Sequence, residues 1–556
     1  MDLHLRHWPK HLPKTLTLPD TSVSYNLEVS AARYPDKALV QYYGATLTYR
    51  EFKRQVDALA GFLQLDCGVK KGERVLLYMQ NSPQFMLAFY AILRADAVVV
   101  PINPMNLTAE LDYYLEDSDA GVAFIGQELY PRIKPLLGNA RLRSIIVAAY
   151  SEYAGATSGL TVPDAVQTAT LEIADRGAVL WRSAIDANHV PGPGAASAED
   201  MAVLLYTSGT TGRPKGCIHT HRSTNATLIG GAVAANMIPD NVVLAAVPLF
   251  HVTGMQHCMS APIYAGASVV VMTRWDREMA GELINRYGVT NWTNIPTMVI
   301  DLLSSPNMAS YNISSLCSIG GGGASMPEAV ANRLHELTGL DYLEGYGLSE
   351  TMSQTHWNPR YRPKKQCLGM PVFDVDSRVI HPETLQELGP NEVGEIVSHG
   401  PQVLLGYWKN PKASEEAFIE IDGKRFFRTG DLGRYDDEGY FFIVDRLKRM
   451  INAAGFKVWP ADVESKMYLH PDIQEACIIG AVDARKGETV KALIVLTPSA
   501  RGKTSEQDII TWSKQNMAAY KCPSIVQFVD SLPKSATGKI QWRLLQEQER
   551  ASVAGN

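Results

Sequence analysis

A disulfide framework is missing from this chain. Its cysteines, Cys67, Cys217, Cys258, Cys317, Cys367, Cys477 and Cys522, are odd in number, scattered and never spaced CxxC. That excludes a stapled extracellular scaffold and a cysteine-rich zinc module, and it fits a reducing compartment. The opening MDLHLRHWPKHLPK lacks the apolar run of a secretory leader, and the closing SVAGN is neither a prenylation box nor a peroxisomal tripeptide. Long hydrophobic runs are also lacking. The stretch from Asn241 to Thr273 contains no Asp, Glu, Lys or Arg, but Pro248, His251, Gln256, His257, Pro262 and two glycines interrupt it. It falls short of the roughly 18 apolar residues that a membrane-spanning helix needs, and reads as buried core and pocket wall. The expectation is a soluble, cytoplasmic protein without a transmembrane segment, with peripheral membrane contact left open.

Charge of one sign is scarce too. Lys and Arg number 52 against 58 Asp and Glu, a net of −6, which does not suggest a dedicated nucleic-acid binder. The distribution is uneven. From Asp445 onward there are 16 basic and 12 acidic residues, +4, against 36 and 46 before it, −10. A small basic segment beside a larger acidic one suits polyanionic ligands.

What is present is an ordinary globular composition. Hydrophobic residues make up 46% and charged residues 20% of 556, enough for several cores at about 150 residues per domain. Thr48 and Glu51 predict a capping box that opens a helix to about Leu65, where Gly68 ends the pattern. RVLLYM (74–79), a helix started by Ser82-Pro83, and AVVVPI (97–102) form a βαβ unit, so a parallel sheet follows. The same alternation returns at SVVVMT (268–273) and at SLCSIGGGG, after which Ser325 and Glu328 predict a second capping box. GRYDDEGYFFIVDRLKRM reads as a hairpin turning at Asp437-Glu438-Gly439. The residues beyond it carry their own strands and helices, enough for a small independent domain. The fold class is α/β with several sheets. The expected division is 1–444, a hinge at 445–448, and 449–556.

The sharpest local signal is Tyr206-Thr-Ser-Gly-Thr-Thr-Gly-Arg-Pro-Lys-Gly216, directly after the apolar strand AVLLY. Glycines let backbone N–H groups approach an anion, while hydroxyls and one lysine add bonds and charge. Thr207, Ser208, Gly209, Thr210, Thr211 and Lys215 are therefore phosphate-binding candidates. The pattern is not GxxxxGK[ST], because Gly216 follows Lys215. Glu350, a carboxylate beside hydroxyls in YGLSET, suits Mg²⁺ held against phosphate oxygens. Asp431 in FRTGD suits two vicinal hydroxyls. Gly321-Gly-Gly-Ala-Ser325 offers bare backbone to a flat ring or chain.

The loop is similar to the phosphate-binding loop of adenylate-forming enzymes, the superfamily of acyl-CoA synthetases, peptide-synthetase adenylation domains and luciferases. Further strings of that family follow in order: Tyr346-Gly-Leu-Ser-Glu-Thr351, Phe427-Arg-Thr-Gly-Asp431, Asp445-Arg-Leu-Lys448, Gly455-Phe-Lys-Val and Pro533-Lys-Ser-Ala-Thr-Gly-Lys539. The resemblance covers nearly the whole chain. It implies two α/β subdomains and a small β subdomain, followed by a small mobile α+β C-terminal domain.

Roles follow from the resemblance residue by residue. Lys539 is implied as the catalytic lysine of adenylation, bridging carboxylate and α-phosphate, with Thr207, Glu350 and His251 beside it. Thr351 bonds the α-phosphate and Tyr346 packs on adenine, with Gly322, Gly323, Ala324 and Gly347 completing the nucleotide site. Asp431 and Arg446 share the ribose. Phe250, His251, Met255, Gly321 and Met352 line the acyl pocket, with His251 at its carboxylate end. Lys448 is the hinge, and Gly455, Phe456 and Lys457 meet coenzyme A after the small domain rotates.

The implied reaction joins a carboxylic acid to MgATP, giving acyl-AMP and pyrophosphate, and then to coenzyme A. A medium- or long-chain fatty acid is the expected substrate. The alternatives are an aryl or other carboxylate–CoA ligase, or an acyl-AMP ligase that loads a carrier protein. A homodimer is left open.

Overall fold

Local chemistry starts the first long helix where the sequence expects it. Thr48 Oγ1 accepts the Glu51 N–H at 3.2 Å while Glu51 Oε2 accepts the Thr48 N–H at 3.1 Å, and the helix runs Tyr49–Leu65. The helix Pro83–Arg94 opens the same way, with Ser82 Oγ accepting the Phe85 N–H at 3.1 Å and proline in its first turn. Every residue from Pro83 to Leu93 is buried, so this helix has no polar face and lies wholly inside the protein. The computed structural model describes residues 3–138, 141–155, 159–207, 213–446, 449–453, 456–483, 487–535 and 539–554.

Four sheets organise these residues. The βαβ unit lies in a seven-stranded sheet, where Arg74–Tyr78 and Val98–Pro101 pair in parallel with Arg74 beside Val98. Met201–Thr207 joins it in parallel, and Lys215–Thr220 closes its edge antiparallel. A nine-stranded sheet has a parallel centre running Tyr342–Leu348, Ser318–Gly321, Asn291–Asn294, Val242–Ala245, Ser268–Val271 and Ala38–Tyr42. One apolar cluster takes in Leu77 and Phe124 from the first sheet and Val243 and Val270 from the second, fusing the two layers.

The third sheet is small and antiparallel. Its long strand Lys424–Tyr435 pairs with Phe441–Arg446 across the expected hairpin. There Gly439, at φ +80°, donates its N–H to Asp436 O at 2.9 Å. From Ile451 onward a separate five-stranded sheet begins, with helices Pro460–Met467, Glu506–Asn516 and Trp542–Ala554. Its own apolar cluster includes Ile451, Val463, Ile478, Val490 and Ile494.

One expected start is corrected. Ser325 and Glu328 do not form a capping box; the helix begins at Glu328, with Pro327 at the cap position. Proline disfavours helical torsions in the residue before it, which pushes the start beyond Met326. The uncharged stretch 241–273 folds as strands around a π-helical turn, Gly254–Ser260, and is largely buried. No helix among the described residues is long and apolar enough to cross a membrane.

Candidate active site

A cleft opens over the parallel strands Asn291–Asn294, Ser318–Gly321 and Tyr342–Leu348, against the helix His221–Ala234. It holds about 1410 Å³ of empty space, its open mouth included. Open α/β sheets bind ligands outside the carboxyl ends of their strands, and here glycines make room at those ends. A Cβ on Gly321 would fall 1.8 Å from Asn294 O. At Gly323, with φ +90°, an added Cβ would lie 3.0 Å from Lys539 Cε and 3.7 Å from its Nζ. The lysine of the C-terminal region therefore reaches the glycine cluster of the larger part.

His251 shares that wall. Its Nδ1 accepts the Thr253 N–H at 3.3 Å, which assigns the ring proton to Nε2. Burial, and secondarily the Lys539 cation, lower its pKa to about 3, so the ring is a neutral donor at pH 7.

The glycine- and hydroxyl-rich loop after Tyr206 joins two antiparallel strands, with Thr207 opposite Lys215. Ser208, Gly209, Thr210 and Thr211 lie outside the described residues. The Lys215 ammonium lies over the Tyr407 ring, 5.1 Å from its centroid. Tyr407 donates its hydroxyl to Glu350 Oε1 at 3.2 Å. Glu350 stands in the single 3₁₀ turn Ser349–Thr351. His219 pins this turn, its Nε2–H donating to Ser349 O at 2.7 Å. Thr351 is buried, accepting the Leu348 N–H at 2.9 Å and donating to Ser353 O at 2.7 Å.

Tyr346 and Gly347 also face the cleft. The Tyr346 hydroxyl donates to Oδ2 of buried Asp431 at 2.7 Å. Asp431 is the direct cross-strand partner of Arg446.

The AMP-binding enzyme family model matches residues 27–408, and the model of the AMP-binding enzyme C-terminal domain matches 462–539. The chain belongs to this family. A long-chain-fatty-acid–CoA ligase of Bacillus subtilis (strain 168) is 34% identical over 563 residues, covering 98% of each chain. A feruloyl-CoA synthase of Amycolatopsis sp is 31% identical over 512 residues, covering 91% of this chain and 94% of the relative. Among solved structures, the anthranilate CoA ligase AuaEII in complex with anthranoyl-AMP is similar with a TM-score of 0.85 at 26% identity, covering 98% of this chain and 99% of that one. The C-terminal match to this AMP-binding enzyme ends on Lys539 itself.

Some expected site residues stand apart from the cleft of this AMP-binding enzyme. Met255 and Met352 are fully buried in the main apolar core, and Phe250 packs against that core, so the apolar lining of the cleft comes from other residues. Val247, Val252, Ala234, Ala235 and Met237 supply its apolar surface. Ala324 is exposed. Phe456 and Lys457 open the strand Phe456–Val458, whereas Lys448 and Gly455 lie outside the described residues.

Sequence reasoning also passed over several residues. His219, Tyr407, His257 and Glu344 all belong to the site or its support. His257 bonds Ser353 Oγ through Nε2 at 3.0 Å. Burial raises the pKa of Glu344 to about 8, which keeps this cleft carboxyl largely protonated at pH 7. None carried a pattern of its own: each is a single polar side chain in a mixed stretch, with no spacing to mark it.

Proposed function

We propose that this chain is an AMP-forming acyl-CoA ligase acting on a medium- or long-chain fatty acid. The acid carboxylate attacks the α-phosphorus of ATP, forming the acyl–phosphate bond as the bond to pyrophosphate breaks. The coenzyme A thiol then attacks the acyl carbon and AMP leaves. One observation carries the reading: Lys539 lies against Gly323 in the cleft that also holds His251.

Each residue then has a task. Lys539 places a cation where oxyanion charge gathers between acid and α-phosphate. His251 offers its Nε2–H to the carboxylate, a donor that does not titrate near neutrality. Thr207, Lys215 and the loop residues Ser208 to Thr211 hold the phosphates, with Thr351 at the α-phosphate. Gly322, Gly323 and Gly347 admit the adenine, with Tyr346 against it. Asp431 and Arg446 take the ribose.

Among the described residues no group of three or more His, Cys, Asp or Glu could hold a metal. Glu350, a carboxylate oriented by Tyr407, fits Mg²⁺ all the same, because that ion takes one or two carboxylates and fills its shell with phosphates and water. Glu350 would hold it. When bound, Mg²⁺ neutralises phosphate charge.

Residues 445–448 are the proposed hinge, with Lys448 absorbing the rotation that removes Lys539 and brings Gly455, Phe456 and Lys457 to coenzyme A. The net charge of +4 from Asp445 onward suits both polyphosphates.

The long-chain relatives match across nearly the full chain, which supports a fatty acid. A second reading, an aryl acid, draws on the feruloyl-CoA synthase and anthranilate CoA ligase likenesses and on polar cleft residues such as Asn291 and Ser318. Acids from C2 to C18 and a set of benzoates, scored by pyrophosphate release, separate the two. A maximum among the benzoates would overturn the fatty-acid reading, and no release with any acid would overturn the ligase reading.

A further inference from the structure

Tyr407 touches both halves of the phosphate machinery. Its hydroxyl donates to Glu350 Oε1 at 3.2 Å, and its ring carries the Lys215 ammonium at 5.1 Å. The main chain around it lies antiparallel beside Lys215–Thr220 at a single bridge, Tyr407 opposite Cys217. Trp408 N–H donates to Gly216 O at 2.7 Å, Ile218 N–H to Gly406 O at 3.0 Å, and Leu405 N–H to Ile218 O at 3.1 Å. The same segment ends on Glu350, whose carbonyl accepts the Leu404 N–H at 2.8 Å. Residues 404–408 thus tie the strand that follows the phosphate loop to the turn that bears the carboxylate.

Two independent effects come from this one side chain. An O–H donated to a carboxylate fixes the direction in which that carboxylate faces. The ring face attracts an ammonium and restrains where a long, flexible lysine comes to rest.

We infer that Tyr407 is a positioning residue for nucleotide activation, its hydroxyl setting Glu350 for Mg²⁺ and its ring setting Lys215 for the phosphates. The inference rests on the ligase reading and deepens it at the same site.

The test is calorimetric ATP binding to the full chain without acid or coenzyme A, with Mg²⁺ and again with EDTA. Tyr407→Phe keeps the ring and loses the hydroxyl. It should retain metal-free ATP affinity within about twofold while losing about 10-fold of the gain from Mg²⁺, the scale on which a ligand's hydrogen-bond partner acts. Tyr407→Leu should weaken metal-free binding as well, and Lys215→Met added to it should cost little more. A wild-type Mg²⁺ gain in Tyr407→Phe overturns the inference, as does equal weakening with and without metal. Absence of any Mg²⁺ gain in the wild type removes the metal role of Glu350 and the inference with it. Acyl-CoA formation by that same wild type tests the ligase reading separately.

Discussion

Tyr346 and Asp431, 85 residues apart, are joined by a 2.7 Å hydrogen bond from hydroxyl to carboxylate. The bond couples the strand Tyr342–Leu348 of the nine-stranded sheet to the strand Lys424–Tyr435 of the antiparallel sheet, where Asp431 faces Arg446. The proposed adenine and ribose contacts are therefore hydrogen-bonded to each other.

Asp431→Ala should raise KM for ATP by about 10–100-fold with a smaller change in kcat, the scale of hydrogen bonds to a charged group. Tyr346→Phe should raise it less, because Asp431 keeps its place in the strand. Steady-state kinetics at varied ATP check both, and an unchanged KM in Asp431→Ala would remove the ribose role.

Lys539→Ala should slow acyl-adenylate formation by about 10²–10³-fold. Thioester formation from supplied acyl-adenylate should be spared, because the proposed rotation takes this lysine out of the cleft. Pyrophosphate exchange and a direct acyl-adenylate assay measure the two halves. Equal loss in both would refute the assignment.

Gly323→Ala would place a Cβ 3.0 Å from Lys539 Cε on a backbone at φ +90°. The strain costs about 1 kcal/mol, and the displaced lysine should lower pyrophosphate exchange by about 10-fold. Circular dichroism should remain that of the wild type. Full exchange activity in a folded Gly323→Ala protein would place the lysine elsewhere during the reaction.

Acid should destabilise the fold through its buried histidines. Burial lowers the pKa of His219 from 6.5 to about 4. His221 and His257 fall to about 4, and His251 and His356 to about 3, for the same reason. Below pH 6.5 the unfolded chain binds protons at these rings and the folded chain does not. Stability is therefore fully present above pH 6.5 and is lost as pH falls toward the folded values. Thermal midpoints measured from pH 7 to pH 4 should decline, and His219→Gln should decline less steeply across that window. Parallel slopes for the two proteins would exclude His219 as a contributor.

Much of the fold was legible because it is written in near neighbours. A capping box needs residues three apart, as at Thr48 and Glu51, and a buried parallel strand such as Val98–Pro101 announces itself by an unbroken apolar run. The pair Ser325 and Glu328 had the same spacing and failed, because Pro327 between them decides the local torsions. The pocket wall was the harder case. Met255 and Met352 looked like lining and are core, since hydrophobicity alone does not say which side of a wall a side chain faces.

Chain order alone determined the motifs, their succession and their family, because phosphate chemistry demands particular residue types at short fixed intervals. Only the tertiary structure decided that Tyr407 would stand between Lys215 and Glu350, that His219 would grip Ser349, and that Lys539 would reach Gly323. Those contacts join residues far apart along the chain. They depend on how whole sheets pack against one another, and no local spacing encodes that packing.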